Sequence, residues 1–219
     1  TAAARALGDS GAPNAAEPLI GLLAAGTTPW VATAALDALA KLKDPRAIQV
    51  LVLYAGNRNL KTRLAAVRAL GALPDGRAVG TLLERLGDAE PEVRTLAAEA
   101  LAARKETRAT DRLFKLVARN DAGAAGPLGM LAPPDLSPKI AELRGQVDDA
   151  VLATTFGEII KRTDIPDRLR LDIVRTIGAL PGAAATTALV EYLATVPENE
   201  NRPSKDEAQR LVDQRGTNP

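Results

Sequence analysis

Residues 61 to 71 read Lys61-Thr-Arg-Leu-Ala-Ala-Val-Arg-Ala-Leu-Gly71. Ala66 and Val67 precede Leu70 by four and three residues, the spacing that sets apolar side chains on one stripe of an α-helix. Gly71 falls near the end of that helix, where a glycine is expected to take a left-handed turn. Asp75-Gly-Arg77 follows, and one unit earlier the same place holds Asp44-Pro-Arg46. Aspartate is a good N-cap, and proline is tolerated in a first turn, where its missing N–H loses nothing. The stretch is therefore one member of a pair of antiparallel helices joined by short turns.

Working outward, the phrase recurs. Leu7, Leu39, Leu70 and Leu101 are spaced 32, 31 and 31 residues apart, and Ile177 closes a similar phrase further on. Twelve residues after these anchors stand Leu19, Leu51, Leu82, Leu113 and Leu189, and four before them Ala3, Ala35, Ala66, Ala97 and Ile173. A helix pair of this size cannot bury its apolar stripe alone, so successive pairs must stack. The predicted fold is all-α, an α-solenoid of about five to six stacked antiparallel helix pairs.

Composition agrees. The 219 residues are 46% hydrophobic but 2% aromatic, so the core is built of Ala, Leu, Val and Ile. Ala and Leu favour helices, and Ala lets backbones approach. The chain has no Cys and no His. That excludes Cys/His and Ser/His/Asp catalysis, a disulfide framework and a zinc site of nitrogen or sulfur ligands, while oxygen-ligand metals and carboxylate enzymes stay open. The net charge of +1 divides into 17 basic and 12 acidic residues up to 119 and 11 and 15 beyond it. Neither half has the basic excess of a dedicated nucleic-acid binder. No apolar run reaches the roughly 18 residues that span a bilayer, and no leader pattern is present. Cysteine-free composition selects no compartment, so cytoplasmic and extracytoplasmic placements both stay open.

The phrases Leu86-Gly-Asp-Ala-Glu-Pro-Glu-Val-Arg-Thr-Leu-Ala-Ala-Glu-Ala-Leu101 and Ala38-Leu-Ala-Lys-Leu-Lys-Asp-Pro-Arg-Ala-Ile48 resemble HEAT repeats, of the short bacterial kind also found in phycobilisome lyases. The resemblance covers residues 1 to 119 and 164 to 196. It implies a ladder between neighbouring repeats, formed by an Asp in the turn of each pair and an Arg opening the second helix. Asp88 with Arg94 and Asp164 with Arg170 keep that spacing, Asn57 with Arg63 keeps half of it, and Gly26 with Ala32 loses it. It also implies that second helices line a concave face where ligands lie.

The predicted organisation is regular repeats over 1–119, a Gly/Pro-rich loop or degenerate repeat over 120–136, degenerate repeats over 137–196, and a loop with a C-terminal capping helix over 197–219. Gly123, Gly126, Gly129, Pro127, Pro133 and Pro134 mark the interruption, expected as a protruding loop or hinge. Counting on from it makes 137 to 146 a second helix, 148 to 162 a first, 166 to 180 a second and 183 to 196 a first. Ser204 and Glu207 have the spacing of a capping box. Thr1 to Gly8 matches only the end of a second helix, so the chain is expected to be a section of a longer array.

Candidate binding residues follow from the resemblance. Positions nine and two before each anchor lie one heptad apart, opposite the Ala/Val stripe. They hold Trp30 and Asp37, Lys61 and Arg68, Glu92 and Glu99, then Arg168 and Arg175. The sign changes from repeat to repeat, which suits a mixed-charge protein partner; equally, Arg68 and Glu99 can simply pair at the surface. Trp30 is either a binding hot spot or a cap over the first turn. Tyr54 and Tyr192 read as packing residues with hydroxyls at the rim, and Phe114 and Phe156 as core. Arg46, Arg77 and Arg108 recur seven after successive anchors, a possible phosphate row, yet each follows Asp44, Asp75 or Glu106 by two residues and local ion pairs explain them. Asp148 and Asp149 suit a helix start. The glycines of 123 to 129 lack the lysine of a phosphate loop.

The expected function is a non-enzymatic scaffold that binds another protein or subunit on its concave face, within a larger bacterial protein, with no cofactor, no metal and no membrane insertion. Two alternatives stay open. One is a nucleic-acid module like the HEAT-like DNA glycosylases, and the other a lyase-type enzyme accessory. For the second, no cysteine exists to hold a bilin covalently.

Overall fold

The computed structural model describes residues 2–12 and 14–216; Thr1, at the head of the stretch expected to be part of a second helix, Pro13, and 217–219, at the end of the expected capping segment, lie outside them. The described residues form fourteen α-helices and no strand. They belong to two compact units, Thr1–Arg104 and Lys105–Pro219. The division falls between one helix pair and the next, ahead of the boundary expected at residue 119.

The first unit contains α1 (Ala2–Ser10), α2 (Ala16–Ala24), α3 (Pro29–Leu42), α4 (Ile48–Ala55), α5 (Leu60–Ala72), α6 (Ala78–Arg85) and α7 (Pro91–Ala103). The second helices α1, α3, α5 and α7 pack successively on one another, and α2, α4 and α6 each pack on the helix that follows. Ala35, Ala66, Ala97, Leu39, Leu70 and Leu101 are all buried between the layers, as are Leu19, Leu51 and Leu82 of the first helices. Each buried leucine contributes roughly 1.5–3 kcal/mol.

Gly71 is not a turn residue. It lies inside α5, and a Cβ placed on it would stand 2.9 Å from the Cβ of Ala100 on α7. Gly8 meets the backbone of Ala38 in the same way. The recurrent Ala-Leu-Gly phrase thus ends in glycine because the next helix of the row passes there. Left-handed residues follow helix ends at Gly11 and Gly26 after α1 and α2, and at Lys43, Lys105 and Asn120, each of the last three one residue before an acidic cap.

The inter-repeat tie centres on Asp88. Arg63 of α5 donates to its carboxylate through Nε at 3.0 Å and Nη2 at 3.1 Å, Arg85 stands 3.5 Å away, and the Glu90 amide donates at 3.1 Å. Arg94 instead donates to the carbonyls of Asp88 and Ala89 at 3.0 Å. Arg104, just past α7, reaches back to the carbonyls of Leu70, Gly71 and Leu73, closing the C-terminus of α5.

The second unit contains α8 (Thr110–Val117), α9 (Ala125–Leu131), α10 (Ser137–Ala141), α11 (Asp149–Lys161), α12 (Asp167–Gly178), α13 (Ala183–Thr195) and α14 (Pro203–Gly216). The stretch 120–136 is therefore not a protruding loop. It carries α9, with Ala125, Pro127, Leu128, Gly129 and Leu131 buried. Pro127 sits in the first turn, where it breaks no hydrogen bond, and Gly129 admits the Thr155 carbonyl of α11.

Counting α9 shifts the alternation by one. It is the second helix of its pair with α8, and α11 and α13 continue its row, while α12 packs with α14. The assignments of 148 to 162 and 183 to 196 as first helices, and of 137 to 146 and 166 to 180 as second, are reversed. The expected ladder at Asp164 and Arg170 takes another form as well. Asp164 pairs with Arg162 at 2.5 Å, and the buried Arg170 donates to the carbonyls of Ile160 and Arg162. Arg162 also caps α9 at Gly129 and Ala132, and Arg215 caps α12 at Gly178 and Leu180.

No capping box forms at Ser204. The serine lies within α14, and its buried hydroxyl meets Asp167 and, at 2.6 Å, the Tyr192 hydroxyl. Tyr54, likewise buried, donates to the Leu23 carbonyl at 3.0 Å, so neither tyrosine hydroxyl sits at a rim. Phe156 is buried, whereas Phe114 is only half-buried. No helix among the described residues is long and apolar enough to cross a membrane.

Candidate functional site

In the first unit, α1, α3 and α5 leave a groove of about 760 Å³, within the 300–1,000 Å³ typical of ligand sites. Pro29 opens α3 and places Trp30 in its first turn, where the ring has no earlier turn to lie against. Trp30 is 73% exposed and forms one end of the groove. Ala34, Ala40 and Ala72 supply a small-residue lining, which leaves room for another chain's side chains.

The walls are charged. Arg68 of α5 donates to Asp37 of α3 at 3.2 Å, and Lys41 of α3 donates to Asp9 of α1 at 2.6 Å. Both pairs are about half exposed, so each contributes no more than ~1 kcal/mol. Arg5 and Lys61 also line the groove and have no carboxylate partner among the described residues. The lining thus carries four basic side chains against the one acid Asp37.

Of the predicted stripe, Trp30, Asp37, Lys61 and Arg68 come together in this groove. Glu92 and Glu99 are exposed on α7 and do not line it; Arg68 turns to Asp37, not to Glu99. Arg168 and Arg175 lie on α12 of the second unit, in the first-helix row, with Arg175 facing Glu207 of α14 at 3.7 Å. Arg5 and Lys41 were missed. Arg5 stands two before the anchor Leu7, the register of Asp37 and Arg68, so the repeat pattern itself could have found it; Lys41 lies two beyond Leu39, off the two chosen positions.

The arginine row is occupied by its own caps. Asp44, Asp75 and Glu106 accept from the backbone and side chain of Arg46, Arg77 and Arg108, opening each first helix. Hydrogen bonds from these guanidinia hold all three carboxyls below their ordinary pKa, and the arginines are raised in turn.

A second cavity of about 400 Å³ in the other unit is lined by Lys161, Arg162, Arg170 and Arg202 against Asp167 and Glu200. Its cations are all engaged: Arg202 pairs with Glu200, and Lys161 with Glu158 and Glu191. Burial opposes the Lys161 charge, but the two carboxylates outweigh it and raise its pKa. Among the described residues no cluster of three acidic groups is placed to hold a metal ion.

The family model for HEAT repeats matches residues 1–59 and 53–125. Among solved structures, the complex of CpcE and CpcF of phycocyanin lyase from Nostoc sp. PCC7120 is similar at 19% identity and a TM-score of 0.48, over 86% of this chain and 94% of that one. No curated protein matches.

Proposed function

The chain belongs to the HEAT repeat family, and from that premise we propose that it is a non-catalytic scaffold which docks another protein in the groove of its first unit, within a larger bacterial assembly. The observation that carries this reading is Trp30. A large, amphipathic ring 73% exposed at the end of a ligand-sized groove, with small residues beside it, has the character of an interface hot spot. Nucleic acid fits the groove less well, because Asp37 lies among the cations and ties up Arg68, whereas phosphate binding wants a run of unpaired positive charge.

Photo-crosslinking tests the proposal. A benzophenone side chain in place of Trp30 is expected to trap a protein partner from extracts of the source cells. The same group in place of Leu53, an exposed residue of the first helix α4, is expected to trap none. Adducts at position 53 alone, or at neither position, would overturn it.

A further inference from the structure

The two unpaired cations of the groove bracket one helix. Gly8 of α1 meets Ala38 of α3, which places Arg5 one turn earlier, beside Ala34. On the other side, the Thr33 and Thr62 hydroxyls meet at 3.3 Å across α3 and α5, which places Lys61 at nearly the same level. Arg5 and Lys61 therefore flank the small-residue surface of α3 about one helical turn beyond Trp30. The other cations, Lys41 and Arg68, are already answered by Asp9 and Asp37. The groove thus offers an apolar centre with an uncompensated positive charge on each side.

We propose that the groove takes an extended acidic segment of the protein partner, lying across α1, α3 and α5. One apolar side chain packs on Trp30 and Ala34, and acidic residues before and after it meet Arg5 and Lys61. The inference rests on the docking function proposed above and adds the chemistry of the docked segment. Charge complementarity selects the occupant: a basic segment would face Arg5 and Lys61 with no carboxylate partner to offset the like charge, which disfavours it. A neutral one would leave both cations unanswered.

Trp30 is the only tryptophan of the chain, so its emission reports on the groove alone. The probe is a short synthetic peptide with one phenylalanine between pairs of glutamates, titrated at low and high salt. A saturable blue shift is expected, weakening with salt because the attraction is screened. Arg5→Glu combined with Lys61→Glu should weaken binding by about tenfold or more. Lys139→Glu, on α10 of the other unit, should leave it unchanged.

A lysine-for-glutamate peptide should give no shift, and an alanine-for-phenylalanine peptide a weaker one. The inference is overturned if the acidic peptide gives no saturable shift, if the lysine peptide binds equally, or if the double reversal changes nothing. It is also overturned if a thymidine oligonucleotide of equal charge binds as well, since any polyanion then suffices. If a serine-for-glutamate peptide binds as tightly as the acidic one, the charge assignment fails while docking in the groove survives. If crosslinking at position 30 fails too, the docking function itself is lost.

Discussion

Replacing Asp88 with alanine isolates the tie that holds successive repeats together. Its carboxylate is 6% exposed and serves Arg63, Arg85 and the Glu90 amide at once, linking α5, α6 and the start of α7. Removing it leaves two guanidinia facing each other without a counter-charge. Breaking a buried pair costs about 3–5 kcal/mol, and because Arg63 and Arg85 are 13% and 24% exposed they can partly reach water, which favours the lower end. Losing the turn-closing acceptor for Glu90 adds about 1 kcal/mol. The sum, about 4 kcal/mol, corresponds to a fall in melting temperature of about 8–16 °C for a chain of this length.

Circular dichroism at 222 nm gives the melt, and hydrogen exchange shows whether the loss lies in α5 to α7. Asp88→Asn, which keeps an acceptor for Glu90 but no charge, should fall between wild type and Asp88→Ala. Arg63→Met with Asp88→Leu should recover part of the loss, since an apolar pair leaves one buried charge fewer. A shift for Asp88→Ala no larger than that of an ordinary surface substitution, about 0.5 kcal/mol, would refute the reasoning.

Three further outcomes are expected. Gly129→Ala should destabilise the second unit by about 1–3 kcal/mol, because the new methyl meets the Thr155 carbonyl and, at 2.6 Å, the Glu158 Cβ; Gly80→Ala, in open space on α6, should stabilise by roughly 0.5–1 kcal/mol, and thermal melts separate the two. Arg104→Leu strips the carbonyls of Leu70, Gly71 and Leu73 of their donor; a loss of about 2 kcal/mol is expected in denaturant unfolding, and Arg104→Lys should rescue it only partly because an ammonium lacks the fork. Asp44, Asp75 and Glu106 have lowered pKa values, so their stabilisation is full above the unfolded values of about 3.9–4.3 and disappears as pH falls through the lower folded ones. Melting temperature should drop below about pH 4, less steeply in a triple Asp44→Asn, Asp75→Asn, Glu106→Gln variant; identical slopes would count against these caps.

The row of second helices was legible because its cause is local. An Ala, a Leu and a small residue recur at fixed spacing, and burial at Ala35, Ala66 and Ala97 follows from that register. What glycine does there was not legible, since a glycine near a helix end reads equally as a turn or as a point of close approach; only the position of Ala100 decides for Gly71. The same ambiguity hid α9. Gly126, Pro127 and Gly129 read as breakers, but a proline in a first turn and a glycine under a crossing helix both fit a short buried helix. Missing it reversed the helix phase beyond residue 136 and put Arg168 and Arg175 on the wrong row.

At the groove, the heptad spacing brought out Trp30, Asp37, Lys61 and Arg68. Which charges pair was beyond it. Arg68 reaches Asp37 on one side instead of Glu99 on the other, a choice set by side-chain geometry between helices 31 residues apart in sequence.

The central claim is that a partner protein covers the groove at Trp30. Hydroxyl-radical footprinting of the chain, free and in complex with the crosslinked partner's purified form, measures this at one residue. The account predicts that Trp30, oxidised readily when free, is protected about tenfold in the complex, in line with a hot-spot side chain excluded from water, while Leu53 on α4 stays as reactive as before. Unchanged oxidation of Trp30 in a saturated complex, with protection appearing at Leu53 instead, would contradict it.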